Sequence, residues 1–259
     1  MLKLNTPGVR LEFDEKKFKL YCDGRAVKPN LRTLGDLKPV LADEAFAKKV
    51  TPSQAKRIQY YMFRGAAKPS DKKTFSKAKV SFDVTVLPAL NLGKELNKTL
   101  GHYHSKARSG KEYPEIYEVL AGEALYILQK KDARGKLVDV IWCRASPGDQ
   151  ILIPPGYGHV TVNAGHGTLV MSNLIAIQKS RYEEFVRKHG AALYAFQNGE
   201  IKTNPLYFKR AGPKGKAVVE PKPREWRPRR VWPRGLYASF VASPQAFDFL
   251  THPERVLFA

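Results

Sequence analysis

Residues 148–163 read Gly-Asp-Gln-Ile-Leu-Ile-Pro-Pro-Gly-Tyr-Gly-His-Val-Thr-Val-Asn, and they hold the strongest fold signal in the chain. Two short apolar runs, 150–153 and 160–163, lie on either side of a turn rich in Pro and Gly. Short strands punctuated in this way are typical of antiparallel barrels and sandwiches. The stretch therefore predicts two strands of an all-β fold, with His159 at the turn between them.

The same pattern extends upstream and downstream of this stretch. From Val80 to Val86 apolar residues alternate with polar ones, as in a strand that is buried on one face. Many short strands joined by tight turns predict a jelly-roll barrel over residues 79–178. The further strand-like runs are Glu115–Leu120, Ala124–Gln129, Leu137–Trp142 and Leu169–Ile175.

Length and composition fit a folded protein. The chain has 259 residues, of which 43% are hydrophobic, enough to build a core and to exclude wholesale disorder. The two cysteines, Cys22 and Cys143, exclude a disulfide scaffold and a cysteine zinc ribbon. Because residues 1–16 lack a signal-peptide run and no stretch has the length of a membrane span, we expect a cytoplasmic protein.

The formal net charge of +21 is unevenly distributed. Ten basic and two acidic residues give the stretch 209–234 a net charge of +8, and its five prolines exclude a helix or a central strand. We predict a basic strap there, followed by an apolar tail, 236–259, that docks on the body or on a partner subunit. Trp226 and Trp232 lie among the arginines, so single-stranded nucleic acid stays an alternative to a solvated strap.

Two regions outside the barrel show helical signals. Apolar residues from Leu34 to Leu41 are spaced as on one face of a helix. Residues 180–183, Ser-Arg-Tyr-Glu, have the form of a capping box and predict a helix that reaches Lys188 and stops at Gly190. The predicted division is an N-terminal segment, the barrel, a closing helix and strand, and a C-terminal extension, at residues 1–78, 79–178, 179–208 and 209–259.

Four residues of the barrel form a candidate metal site. His102 and His104 are two residues apart, so on a strand both imidazoles point to one face. Glu115 begins the next strand run, and His159 precedes another. Three imidazoles and a carboxylate suit Fe²⁺, Mn²⁺, Ni²⁺ or Zn²⁺, with positions left for a substrate. A lone His-x-His pair is more often two surface histidines, but three of the chain's six histidines fall in this pattern.

The spacings around these residues resemble the two motifs of the cupin superfamily. From Gly148 to Asn163, through Pro154, Gly156 and His159, every spacing of the second motif is matched. The resemblance implies a cupin fold, a double-stranded β-helix or jelly-roll barrel. The sequence itself adds the flanking helices and the basic Pro-rich C-terminal extension.

The first cupin motif is matched only in part. Ten residues separate the histidine pair from Glu115, where cupins commonly have three or four, and Leu96 stands where the motif has a glycine. Two other acidic residues therefore compete for the fourth ligand position: Glu112 would lie in the loop, and Glu118 would face away from Glu115 on the strand. We prefer Glu115 because it sets the usual spacing to Gly122.

The residues flanking the ligands resemble a narrower family, the cupin-type glucose-6-phosphate isomerases. That family typically shows T-x-G-H-[FY]-H-x-K, E-x-Y and V-P-P-x-x-x-H-R-T-x-N segments. The resemblance covers roughly residues 31–205 and leaves out the strap and tail. The matching segments here are TLGHYHSK at Thr99–Lys106, EIY at Glu115–Tyr117 and IPPGYGHVTVN at Ile153–Asn163.

The resemblance implies a glycolytic and gluconeogenic enzyme that interconverts glucose 6-phosphate and fructose 6-phosphate. It implies one divalent ion per subunit, Fe²⁺ first and Mn²⁺, Ni²⁺ or Zn²⁺ as alternatives, and a homodimer. Glu115 and His102 would be catalytic. The implied metal ligands are His102, His104, Glu115 and His159. The implied substrate residues are Tyr60, Thr85, Thr99, Gly101, Tyr117 and Tyr182, with Lys106 adding charge.

Without the resemblance, we would interpret the two threonines as ordinary strand residues. The three tyrosines would fit core packing as well as they fit a substrate pocket. Relatives carry an aromatic residue where this chain has Met171 and Ile175, and Glu118 replaces an apolar residue without a role we can assign.

Two routes and two rival functions stay open from the sequence. A metal bound to the substrate oxygens would polarise the carbonyl, and Glu115 would shuttle a proton in an enediol route but act only as a ligand in a hydride shift. The rivals are another cupin enzyme, such as an iron dioxygenase or a different phosphosugar isomerase or epimerase, and a sugar-sensing binding module.

Overall fold

The computed structural model describes residues 1–208 and 221–256, most of them in short strands. The strands are β1 (Leu2–Leu4), β2 (Leu11–Asp14), β3 (Lys19–Cys22), β4 (Arg25–Val27), β5 (Pro29–Thr33), β6 (Ile58–Phe63), β7 (Val80–Leu87), β8 (Asn91–Leu92), β9 (Glu95–Leu96), β10 (Tyr103–His104), β11 (Glu115–Ala121), β12 (Ala124–Lys131), β13 (Leu137–Ala145), β14 (Gln150–Ile153), β15 (Tyr157–Asn163), β16 (Leu169–Ala176), β17 (Ser180–Arg181), β18 (Leu193–Ala195), β19 (Ile201–Thr203) and β20 (Arg224–Glu225). The α-helices are α1 (Leu34–Leu37), α2 (Glu44–Lys49), α3 (Pro52–Ala55), α4 (Lys72–Ala78), α5 (Glu183–Arg187) and α6 (Leu236–Ala242).

Two sheets enclose the interior of the barrel. One has six strands in the order β14-β11-β16-β7-β6-β5, and the other has four in the order β15-β12-β13-β20. Their inner faces meet: the rings of Tyr117 on β11 and Tyr126 on β12 are 5.4 Å apart, and the Tyr126 hydroxyl donates to Sδ of Met171 on β16. The predicted all-β cupin barrel is confirmed.

The six-stranded sheet begins earlier in the chain than the predicted start of the barrel at residue 79. Strand β6 pairs with β7, with Met62 opposite Thr85, and β5 pairs with β6. The helices α1 to α3 lie between β5 and β6, so the helical signals after Leu34 belong to an insertion between two barrel strands. The division of the chain into four segments stays a prediction.

A second core lies on the outer face of the six-stranded sheet. It joins the N-terminal sheet β1-β2-β3-β4 to α4 and α6. The Phe240 ring of α6 stacks on Phe75 of α4 at 4.6 Å, and the Tyr237 ring meets Phe82 of β7 edge-on at 4.9 Å. The described part of the apolar tail therefore docks on the body of its own chain, one of the two alternatives that the sequence left open.

The buried Glu118 secures this tail. Its Oε2 accepts the backbone N–H of Leu236 at 2.9 Å, and its Oε1 accepts from Gln150 at 3.3 Å. Gln150 in turn exchanges two hydrogen bonds with the backbone of Trp232. The acidic residue without a role in the sequence therefore anchors the C-terminal extension.

The predicted capping box is wrong. Ser180 and Arg181 form β17, which pairs with β10, so Ser180 lies opposite His104. Helix α5 instead starts after Tyr182, whose side chain makes no cap hydrogen bond. The predicted C-terminal end of the helix lies close to the observed one: α5 ends at Arg187, and the Gly190 N–H donates to the carbonyl oxygen of Phe185 just past it.

The strap is extended where the structure describes it. Residues 224–225 add a short parallel strand beside β13, and Trp226 packs against the barrel core. The remainder of the predicted strap, residues 209–220, and the end of the tail, 257–259, lie outside the described residues. None of the helices that the structure describes combines the length and the apolar character of a membrane span.

Candidate metal centre and substrate cavity

Backbone pairing fixes the four predicted metal ligands in one place. His102 and His159 exchange two backbone hydrogen bonds, N–H to O, of 3.2 and 3.0 Å. His104 lies on β10, and Glu115 is the first residue of β11. The alternation of strand residues then turns both imidazoles of the His-x-His pair to the same side. Their ring centroids are 5.1 Å apart.

The ligand atoms converge on a small volume. The four side chains offer atoms that all lie within 4.8 Å of one another. Glu115 Oε2 is 3.2 Å from His104 Nε2 and 3.3 Å from His159 Nε2. These three side chains are buried, and His102 is half-buried. Arg181 donates a hydrogen bond to the Glu112 carboxylate outside the cluster, and Glu118 lies at the tail, so neither competitor joins the cluster.

The hydrogen bonds show that the cluster fits a cation. His104 Nδ1 is 2.6 Å from the carbonyl oxygen of Tyr113, which can only accept, so the ring proton is on Nδ1. His104 Nε2 then presents a lone pair to Glu115 Oε2, and neither atom has a hydrogen-bond partner among the described residues. Two buried acceptors facing each other are unfavourable unless a cation lies between them.

Burial and neighbouring charges prepare the groups for metal binding. Burial lowers the pKa of His102 and His159, which keeps the imidazoles neutral. Metal ligands must be neutral imidazoles and ionised carboxylates, and the lowered pKa values favour the neutral imidazoles.

A cavity of about 550 Å³ opens beside the cluster. Its wall includes three of the four candidate ligands, His102, Glu115 and His159. Met171 and Ile175 also line it. Five of the predicted substrate residues line it: Tyr60, Thr85, Thr99, Tyr117 and Tyr182.

Two predicted substrate residues do not reach the cavity wall. Lys106 is exposed, because β10 ends at His104 and the following loop leads the chain outward. Gly101 is buried with φ +86°, and a Cβ there would lie 2.5 Å from Phe185 and from Val160. The glycine is therefore required for close packing beside the site.

Three residues of the cavity wall were missed from the sequence. Asn173 donates to Glu115 Oε1 at 2.7 Å, and Asp83 pairs with Arg64 at 2.6 Å. The alternation in β7 carried the signal for Asp83, but we expected its polar face to meet solvent. In the structure the apolar face of β7 meets the second core, and the polar face lines the cavity.

Comparison with known proteins places these features in a family. The family described as Glucose-6-phosphate isomerase (GPI) matches residues 31–209. The glucose-6-phosphate isomerase of Thermococcus litoralis is 26% identical over 204 residues, which cover 77% of this chain and 95% of the relative. That of Pyrococcus furiosus is 25% identical over 206 residues, 78% of this chain and 97% of the relative.

The solved structures that match part of the chain include two other proteins. Bacillus subtilis oxalate decarboxylase, in a mutant form, has 15% identity and a TM-score of 0.33 over 47% of this chain and 26% of its own. The vicilin of Solanum melongena has 11% identity and a TM-score of 0.34 over 48% of this chain and 29% of its own.

Proposed function

This chain belongs to the glucose-6-phosphate isomerase family, and we infer that it interconverts glucose 6-phosphate and fructose 6-phosphate with a divalent metal ion. The observation that carries this inference is the convergence of three imidazoles and one carboxylate within 4.8 Å, inside the matched region and at the wall of a cavity. The enzyme is an aldose–ketose isomerase whose substrate is a sugar phosphate.

The proposed metal ligands are His102, His104, Glu115 and His159. When bound, a divalent ion supplies Lewis acidity that polarises a substrate carbonyl and stabilises negative charge on oxygen. Nitrogen and carboxylate donors in this ratio suit borderline ions, so we propose Fe²⁺, with Mn²⁺, Ni²⁺ and Zn²⁺ as alternatives. His102 is half-buried and lines the cavity, and its ring centroid lies 5.6 Å from that of Tyr182. We propose that His102 contacts the reacting end of the sugar.

Both oxygens of Glu115 are held in place. Oε1 accepts the Asn173 amide, and Oε2 points between His104 and His159. A carboxylate whose two oxygens are both held in this way is well placed as a ligand and poorly placed to move a proton. This supports the hydride shift over the enediol route, with Glu115 as ligand rather than base. Turnover in deuterated water tests it: deuterium in the product would contradict the ligand role.

The hydroxyl groups of the cavity can donate to a phosphate. Thr99 Oγ1 accepts the N–H of Thr161 at 3.0 Å, and the Tyr60 hydroxyl accepts the N–H of Leu100 at 3.4 Å. Both hydroxyl protons are therefore free to point into the cavity. Burial raises the pKa of Tyr60 to about 12, so its proton stays in place at neutral pH. We propose these two and Thr85 for the phosphate end.

The tyrosines Tyr117 and Tyr182 contribute flat walls to the cavity. The Tyr117 hydroxyl is 3.4 Å from His159 Nε2, and burial followed by the charge of Glu115 raises its pKa. We propose that it orients the sugar near the metal ligands. Gly101 and Lys106 stay predictions: the first would act through its backbone, and the second only if its loop closes over the cavity.

The decisive experiment is a coupled assay of both sugar phosphates with metal-loaded protein. We expect interconversion in both directions, and at least a hundredfold loss in the His102→Ala variant. Arg10→Met, a change at the exposed surface, is the control and should match the wild type. Oxygen uptake with either substrate and no isomerisation would support a dioxygenase instead.

We also propose that the enzyme is a cytoplasmic homodimer. The outer strand β5 of the described six-stranded sheet carries Leu31, which is 44% exposed, and an edge with an apolar side chain favours pairing. Light scattering on the purified protein measures the mass of the particle, and a value near 29 kDa would contradict the dimer.

A further inference from the structure

We propose that Arg64 is a specificity-determining residue that binds the phosphate group of the substrate. This rests on the proposed function, because the anion in question is the phosphate of the sugar. Among the described residues that line the cavity, Arg64 is the one Lys or Arg side chain. Its side chain is 50% exposed, so its guanidinium is accessible to a ligand in the cavity.

Asp83 holds the guanidinium in a fixed orientation. Arg64 Nη1 donates to Asp83 Oδ2 at 2.6 Å, and the Asp83 side chain is only 2% exposed. The same carboxylate accepts the Gly65 N–H at 2.9 Å and the hydroxyl of Ser81. Three donors thus fix the carboxylate beneath the arginine. A guanidinium held on one side presents its other N–H groups with little loss of conformational freedom.

A contact with Met62 brings the Arg64 guanidinium back toward Thr85, one of the residues proposed for the phosphate end. Met62 lies directly opposite Thr85, and Arg64 Nη2 is 3.6 Å from the Met62 sulfur. The guanidinium therefore leans back over the pair that includes Thr85. Glu115 is three strands away, through β16 and β7, or about 14 Å between backbones at the usual strand spacing. Side chains reach inward from both walls, and a hexose phosphate carries its reacting carbons and its phosphate at opposite ends.

The pairing with Asp83 decides how Arg64 acts. Because the charges of the two side chains largely cancel, Arg64 adds directed hydrogen bonds rather than a long-range positive field. The neutral hydroxyls of Thr85, Thr99 and Tyr60 would bind a phosphate and a neutral sugar hydroxyl alike. Arg64 is then the group that distinguishes a phosphorylated sugar from an unphosphorylated one.

Three probes test this on the full-length, metal-loaded protein by calorimetry: inorganic phosphate, glucitol 6-phosphate and glucitol. Glucitol and its phosphate lack a carbonyl group and cannot isomerise, so the test does not depend on catalysis. For Arg64→Met we expect the affinity for both phosphates to fall by about 10- to 100-fold, the loss of charge-assisted hydrogen bonds, with glucitol binding unchanged. Arg10→Met should match the wild type for all three probes.

Arg64→Lys keeps a cation that can pair with Asp83 but loses the planar fork, so phosphate affinity should be intermediate. This variant also serves if Arg64→Met does not fold. Phosphate affinity within twofold of the wild type in either variant would overturn the proposal. So would an equal loss for all three probes, which indicates a structural role. Phosphate binding that depends on Arg64 without any isomerase activity would uphold this proposal and refute the proposed function.

Discussion

Replacing Glu118 with alanine tests whether a buried carboxylate anchors the tail. The change leaves the N–H of Leu236, a residue with no exposed surface, without an acceptor. An unsatisfied buried donor costs about 1–3 kcal/mol, and the lost packing of the side chain adds about 1 kcal/mol. We therefore expect a total loss of about 2–4 kcal/mol in the free energy of unfolding.

The same structure predicts that the tail stays docked in this variant. Five large apolar side chains of the tail are buried, each stabilising the docked state by about 1.5–3 kcal/mol. The five side chains are those of Leu236, Tyr237, Phe240, Phe247 and Leu250. Their contributions sum to about 8–15 kcal/mol as an upper estimate, which exceeds the loss expected from Glu118→Ala. The destabilisation should therefore appear in global unfolding and not as a tail that becomes sensitive to protease.

The assay is urea unfolding followed by tryptophan fluorescence, since Trp232 stacks on Phe247 in the docked tail. Glu15→Ala, the same substitution at an exposed residue, is the control and should lie within about 0.5 kcal/mol of the wild type. A loss below about 0.5 kcal/mol for Glu118→Ala would refute the reasoning.

Glu118→Gln adds a test of the charge. Burial raises the pKa of Glu118 in the folded protein above its ordinary value of 4.5. The folded state thus favours the protonated carboxyl, and the stability that this contributes is full below pH 4.5 and is lost as the pH rises through the folded pKa. Glutamine keeps an acceptor and does not ionise. Its stability relative to the wild type should rise between pH 4 and pH 8, and a flat difference would contradict the shift.

Three further predictions follow from the site. Chelator treatment should lower the midpoint of thermal unfolding, because the lone pairs of the ligand cluster then face one another without a cation. A divalent ion added at 100 times its Kd should raise the free energy of unfolding by about 2.7 kcal/mol, measured by scanning calorimetry. Asn173→Ala, which frees Glu115 Oε1, should weaken metal binding about 10- to 100-fold in a competition titration, and unchanged affinity would count against its anchoring role. Gly158→Ala should cost about 1–3 kcal/mol in chemical denaturation, because its Cβ would lie 2.5 Å from the Tyr103 ring, whereas Gly167→Ala, in open space, should be close to neutral.

Strand positions were well predicted from the sequence because period-two alternation and Gly/Pro turns are local signals. The run Gln150–Ile153 matches β14 at both ends, and Leu169–Ile175 matches β16 to within one residue. Part of the convergence of the candidate ligands was also predictable, since placing both histidines of the His-x-His pair on one face needs only the strand period. The wrong capping box shows the limit: Ser180 pairs with β10, about 75 residues away in the chain, and this contact overrides the local preference for a helix cap.

The cavity wall was harder to predict because it depends on register. Arg64, Asp83 and Asn173 meet only once β6, β7 and β16 are aligned, and no single strand shows that alignment. Lys106, which the resemblance implied, lies outside the cavity wall because β10 ends at His104, and its role stays a prediction.

The second core also fixes the order in which the chain can finish folding. The Tyr237 hydroxyl accepts the N–H of Lys68 and donates to Asp71, contacts that span 169 and 166 residues. At a synthesis rate of about 5–20 residues per second, the ribosome needs roughly 10–30 s to make the chain between them. Phe75 and Phe82 must therefore wait that long for their aromatic partners. During this interval the nascent chain exposes a hydrophobic aromatic surface, and we expect a chaperone to bind there.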